Sequence, residues 1–78
     1  MSQRSLLDIK EGEKARVIGY RGGYGLKQKL EARGIREGKE IAKISDSFIG
    51  GPVTIQVDNS KVALGRGMAG RVMVEVIS

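Results

Sequence analysis

The chain has 78 residues, which is near the lower limit at which a soluble chain buries enough apolar surface to fold alone. We therefore expect a single domain over residues 1–78. With 40% hydrophobic and 29% charged residues, the composition is that of a globular protein rather than of a disordered chain. The absence of cysteine excludes disulfides, thiolate metal ligands and a cysteine nucleophile.

The charge is basic, because 14 Lys and Arg residues stand against nine Asp and Glu, a net charge of +5. This charge favours nucleic acid, anionic lipid or an acidic protein surface, and alone it does not choose among them or exclude a solvated face. Residues 1–10 contain no apolar signal segment, and no stretch approaches the roughly 18 apolar residues of a membrane span. We expect a cytoplasmic protein that does not insert into a membrane.

The first predicted strand covers residues 14–20, where Ala15 and Val17 point to one face and Arg16 and Ile18 to the other. Three glycines among residues 21–25 interrupt the pattern and permit a tight turn or a close packing contact.

A helix is predicted for residues 26–33, a run of good helix formers with Leu26 and Leu30 one turn apart. Gly34 follows where a left-handed C-terminal cap is expected. The basic side chains of this helix, which cover much of its exposed surface, are Lys27, Lys29 and Arg33.

The second strand is predicted over residues 40–47, where the apolar residues Ile41, Ala42 and Ile44 do not alternate, so a bulge or bend is expected. Residues 53–57 alternate most regularly of all, and residues 58–60 have the composition of a tight hairpin turn into a strand at 61–65. Residues 65–70 indicate a turn or a single helical turn, and residues 71–77 form the last strand. The glycines and proline assigned to structural turns are Gly22, Gly23, Gly34, Gly38, Gly51 and Pro52.

These elements predict a mainly β fold, a small SH3-like antiparallel barrel of about five strands with one short helix inserted after the first strand. Closure of the barrel would protect the strand edges. Leu6, Leu7 and Ile9 are too apolar to stay in solvent, so we expect them to fold back as a lid over one barrel end.

Catalytic and metal-binding chemistry is not expected, because the chain has neither the histidine nor the cysteine on which most such sites depend. We predict no catalytic residue, no metal ligand and no cofactor. Residues 19–25 are rich in glycine, as phosphate-binding loops are, but they lack the Lys-Ser or Lys-Thr ending of a P-loop. Turn geometry explains them better.

Nucleic-acid binding is the alternative function, because small barrels bind RNA through exposed aromatic rings beside basic residues. A cluster of this kind occurs at Tyr20, Arg21, Tyr24, Lys27 and Lys29. Two tyrosines make a small stacking surface, and packing of at least one of them against the fold is the favoured reading.

The order and spacing of several motifs resemble the FeoA family and the related SH3-like domain of some metal-dependent repressors. The resemblance extends over about 70 residues. It rests on the opening Leu6 and Ile9, on residues 12–17, 22–23 and 34–38, on Leu30, on residues 51–53 and 62–65, and on Ala69, Val72 and Val74.

The resemblance implies a non-catalytic cytoplasmic accessory protein of ferrous-iron uptake that binds FeoB, a membrane permease with a GTPase domain. Descriptions of the family include transition-metal binding, for which this sequence has no histidine or cysteine. A repressor domain is disfavoured, because no helix-turn-helix precedes the predicted barrel. Self-association through an apolar cleft stays open.

For the partner-binding surface we predict the glycine-rich loop and the helix, together with two apolar residues of a later loop. Its residues are Arg21, Tyr24, Lys27, Lys29, Arg33, Phe48 and Ile49. If Phe48 and Ile49 are exposed to solvent, they would anchor a partner. Packing of both against the barrel rim is the alternative.

Overall fold

The computed structural model describes residues 4–46 and 50–77, which form one antiparallel sheet and two helices. The strands are β1 (Arg4–Ser5), β2 (Lys14–Tyr20), β3 (Glu40–Asp46), β4 (Val53–Val57), β5 (Ser60–Leu64) and β6 (Val72–Val76). The helices are α1 (Tyr24–Ala32), between β2 and β3, and α2 (Arg66–Ala69), between β5 and β6. The order of strands in the sheet is β1-β6-β2-β3-β4-β5.

This architecture confirms the mainly β, SH3-like fold with a helix after the first long strand. The sixth strand, β1, was not predicted, because two residues are too few for an alternating pattern; Arg4 pairs with Val74 and Ser5 with Met73. The prediction of a closed barrel was wrong. Among the described residues no pairing joins β1 to β5, so these two strands remain as the sheet edges.

The core is aliphatic and draws on every part of the described chain. Leu6 and Ile9 are buried in it, and Leu7 packs against it, so the N-terminal segment does fold back onto the sheet. The backbone N–H of Leu6 donates to the carbonyl oxygen of Val72 at 3.2 Å, which fastens this segment to β6.

Helix α1 begins at Tyr24, two residues before the predicted start, and ends at Ala32. Gly34 has a φ of +87°, which confirms the predicted left-handed cap. The backbone N–H of Gly34 donates to the carbonyl oxygen of Glu31 at 3.0 Å, and that of Ile35 donates to the carbonyl oxygen of Leu30 at 3.0 Å. These two bonds form a Schellman motif, and since Leu30 and Ile35 are both buried, the motif holds the helix end on the core.

The hairpin between β4 and β5 forms as predicted, with Val57 paired to Ser60 across the turn and Asp58 at a φ of +55°. The predicted irregularity of β3 is also confirmed, since the pairing register with β4 shifts between Lys43 and Ser45. The bulge has an unpredicted consequence: the lysine is buried and the apolar Ile44 beside it is 40% exposed.

The buried lysine has three oxygen acceptors, which explains how the core tolerates it. Lys43 Nζ donates to the carbonyl of Ile9 at 2.8 Å, to that of Leu7 at 3.4 Å, and to Asp46 Oδ2 at 2.8 Å. The other carboxylate oxygen of Asp46 accepts from Arg66 of α2. This polar corner, formed by Lys43, Asp46 and Arg66, joins the N-terminal segment, β3 and α2.

Candidate partner-binding groove

The described surface has an open groove between α1 and the segment from α2 to the start of β6. One wall consists of Leu26 and Lys29, which lie three residues apart on one face of α1, and of Arg33, the C-cap residue of this helix. Met68 of α2 and Arg71, just before β6, form the other wall. We call this feature, with a volume of about 680 Å³, the α1–α2 groove.

The pairing of β2 with β6 creates this groove. These antiparallel neighbours place Tyr20, the last residue of β2, opposite Val72, the first residue of β6. The helix that follows β2 therefore lies beside the helix that precedes β6. The N–H of Arg21 donates to the carbonyl of Arg71 at 2.7 Å and fastens the two segments together.

Gly22 permits close packing at one end of the groove. A Cβ atom added at Gly22 would lie 2.6 Å from Leu26 Cδ2 and 3.6 Å from Arg71 Nη1. Any larger residue would have to displace the leucine side chain. The close contact expected of this glycine-rich turn is present, and it positions one of the two apolar side chains of the groove.

Arg33, at the C-terminal end of α1, connects this wall of the groove to the sheet. Its Nη1 donates to the carbonyl oxygen of Ala63 on β5 at 3.2 Å. The guanidinium has five N–H donors, so this contact orients Arg33 and leaves it able to bind a partner. The groove wall is thus fixed at both ends by contacts within the fold.

Each wall of the groove has an apolar base and a cationic rim, and the two bases together form its floor. Leu26 and Met68 are half-buried and pack against the core, whereas Lys29, Arg33 and Arg71 are exposed. Gly25 completes the lining, and none of these six described lining residues is acidic. A ligand with an aliphatic group and negative charge would complement this surface.

The predicted surface residues occupy different places relative to the groove. Lys29 and Arg33 line it, whereas Tyr24, which is 73% exposed, and the half-buried Lys27 do not. Arg21 contributes the backbone contact to the opposite wall. Phe48 and Ile49 lie outside the described residues.

The residues named for the predicted surface leave out four of the six lining residues, Gly25, Leu26, Met68 and Arg71. Leu26 was assigned only to the helix face, and Arg71 only to the last strand. The spacing of Leu26, Lys29 and Arg33 was a usable signal, because an apolar residue in line with two cations marks a mixed surface. No signal in the sequence paired this stripe with residues some forty positions away.

The two tyrosines differ in their surroundings. The hydroxyl of Tyr20 donates to the carbonyl of Ile35 at 2.7 Å, and its ring packs against the core. Burial, reinforced by the negative charges of Glu31 and Glu37, raises the pKa of Tyr20. Tyr20 is thus a structural residue, and Tyr24 is the tyrosine exposed to solvent.

Two further features bear on function. Within residues 4–46 and 50–77, no three Asp or Glu side chains gather where a metal ion could be held. In the same residues, no helix has the length and apolar character needed to cross a membrane.

The fold and the groove define a small SH3-like domain with an open surface groove of mixed apolar and cationic lining. Comparison with known proteins gives the family. The model of the FeoA domain matches residues 4–76, and the chain belongs to the FeoA family.

Individual relatives agree with this assignment. The protein called "Putative Fe(2+) transport protein A" from Methanocaldococcus jannaschii is 39% identical over 66 residues, which are 85% of this chain and 78% of that protein. The crystal structure of an iron uptake regulatory protein, FeoA, has 32% identity and a TM-score of 0.88, covering 99% of this chain and 100% of that one.

A more distant similarity concerns the fold alone. The manganese-activated repressor ScaR has 23% identity and a TM-score of 0.84, and the match covers 94% of this chain but 35% of the repressor. The same fold therefore also occurs as part of a larger protein.

Proposed function

We propose that this chain is a non-catalytic cytoplasmic accessory protein of ferrous-iron uptake that binds the cytoplasmic part of a FeoB-type GTPase and permease. Membership of the FeoA family supports the iron-uptake role. The single observation that supports a binding role is the α1–α2 groove, where half-buried apolar side chains lie beside exposed lysine and arginine side chains.

The chemistry of the groove supports binding rather than catalysis. Its polar side chains are one lysine and two arginines, and the whole chain contains no histidine or cysteine. A nucleophile paired with a general base, which most hydrolytic and transfer reactions require, has no counterpart in this lining. The groove residues are suited to recognition by charge and shape.

The surface proposed for the partner is centred on this groove and extends to its neighbours. Arg21 lies shortly before α1, Tyr24 is its first residue, and Lys27 lies on the same helix. Phe48 and Ile49 remain proposed contacts on the basis of the sequence. The groove supplies the apolar centre and the flanking residues supply the polar rim, which is the usual anatomy of a protein interface.

The nucleic-acid alternative is weakened by the position of Tyr20. Its ring packs against the core and its hydroxyl is bonded to Ile35, so a stacking platform of two tyrosines does not form. Tyr24 alone, beside basic residues, is a poor platform for successive bases. We therefore do not propose this function.

The proposed function is tested by titrating the purified cytoplasmic part of the FeoB-type permease with this protein in a calorimeter. We expect saturable binding, and we expect ferrous-iron uptake by cells to fall when the gene is deleted. A chain unable to bind the permease, together with unchanged uptake in the deletion strain, would contradict the proposal.

A further inference from the structure

The composition of the groove indicates what kind of partner segment fits it. We propose that the α1–α2 groove binds an acidic protein segment, which inserts one aliphatic side chain between Leu26 and Met68. Carboxylates of the segment then pair with Lys29, Arg33 and Arg71. The inference rests on the proposed function only in assigning the segment to the permease.

The aliphatic anchor follows from the groove floor. Leu26 and Met68 are held from below by the core, yet each keeps part of its side chain in the groove. A methionine side chain adapts to the shape of its neighbour, because it is unbranched and polarizable. A single aliphatic side chain seated between the two would cover apolar surface that the isolated chain leaves in water.

The acidic character follows from the rim. Lys29 and Arg33 stand on one wall and Arg71 on the other, so a segment along the groove has cations on both sides. Arginine binds carboxylates through two parallel N–H donors, and Arg33 is already oriented by its bond to Ala63. Acidic residues on both sides of the aliphatic anchor would therefore meet a partner on each wall.

An acidic protein segment fits better than RNA or a second copy of this chain. None of the six lining residues is aromatic, so a base would have no ring to stack on in this part of the described surface. A second copy carries the same net charge of +5, which repels at low salt. An acidic segment gains from both features of the groove.

Charge variants at exposed positions give the first arm of the test. Lys29→Glu and Arg71→Glu are each expected to weaken binding of the permease's cytoplasmic part by about tenfold, since each places a like charge against the segment. Lys10→Glu makes the same change in net charge at an exposed site away from the groove, and it should weaken binding less than twofold. Equal losses in all three variants would overturn the proposal.

The apolar anchor is tested by a matched pair at one position. Met68→Ser removes apolar surface from the groove and should weaken binding by about tenfold, whereas Met68→Leu keeps the volume and should retain it. Circular dichroism and thermal melts confirm that both variants are folded. Wild-type affinity in folded Met68→Ser would contradict the inserted side chain.

The second arm uses a designed fluorescent peptide with glutamates on both sides of one central leucine, followed by anisotropy. We expect the peptide to bind, and its Leu→Asn and Glu→Gln versions to bind at least about tenfold more weakly. Peptide binding without permease binding would remove the proposed function and keep this inference. If the permease bound with unchanged affinity to the Lys29, Met68 and Arg71 variants, the proposed function would stand and the inference about the groove would be overturned. Displacement of the peptide by oligouridine, or a dimer broken by Arg71→Glu, would also overturn the proposal.

Discussion

The polar corner and the α1–α2 groove both contain lysine and arginine, but the surroundings of these cations are opposite. In the polar corner, Lys43 is buried and its ammonium group is bonded to three oxygen atoms. In the groove, Lys29 and Arg71 are exposed, and none of the described residues that line it is acidic. The fold therefore satisfies a cation internally where β3 bulges and leaves cations exposed to solvent along the groove.

Replacing Lys43 by methionine gives the largest expected effect, because it breaks the polar corner from inside. The apolar chain fits the site, but the carbonyls of Leu7 and Ile9 and the carboxylate of Asp46 lose their shared donor. We expect a loss of about 3 kcal/mol in the free energy of unfolding, measured by urea denaturation at neutral pH.

A loss below about 1 kcal/mol would show that the carbonyls find other donors, and that the corner contributes little to stability. The matched control is Lys29→Met, the same change at an exposed lysine of the groove. Both changes remove one positive charge, so their difference isolates the effect of burial.

The carboxylate of the polar corner gives a pH-dependent effect of intermediate size. Hydrogen bonds from Lys43, and then from Arg66, lower the pKa of Asp46 below its ordinary value of 3.8. A depressed pKa means that the folded state favours the charged form, so this stabilisation is present above the unfolded value and is lost as the pH falls through the folded value.

We therefore expect Asp46→Asn to be less stable than the wild type at pH 7, with the difference shrinking below about pH 4. Urea denaturation of both proteins at a series of pH values measures this. A difference that stayed constant down to the lowest pH at which both fold would show that the charge of Asp46 is not the stabilising feature.

Local patterns were sufficient to predict most of the fold. The alternation in β4, the hairpin turn at Asp58 and the cap at Gly34 depend on neighbours within a few residues, and each was found from the sequence. The burial of Lys43 was not found, because a bulge shifts the alternation of β3 and reverses the faces of Lys43 and Ile44.

Only one side of the groove could be predicted from the sequence, because its two sides come from distant parts of the chain. The basic side chains of the predicted helix supplied Lys29 and Arg33, which both line the groove. Met68 and Arg71 join these two residues through the pairing of β2 with β6, which brings together segments far apart in the chain. A long-range pairing of this kind depends on the whole sheet, and no local pattern specifies it.

Lys29 is the exposed counterpart of the buried Lys43. Lys29→Met removes a cation from the exposed rim of α1, where the described structure shows no ion pair to its ammonium group. Methionine and lysine have similar helix propensities, so we expect the free energy of unfolding to change by less than about 0.5 kcal/mol. The same variant should still bind the acidic peptide more weakly, since one carboxylate partner is gone. If Lys29→Met destabilised the fold as much as Lys43→Met, the groove cations would belong to the structure rather than to a partner, and the contrast between the two regions would fail.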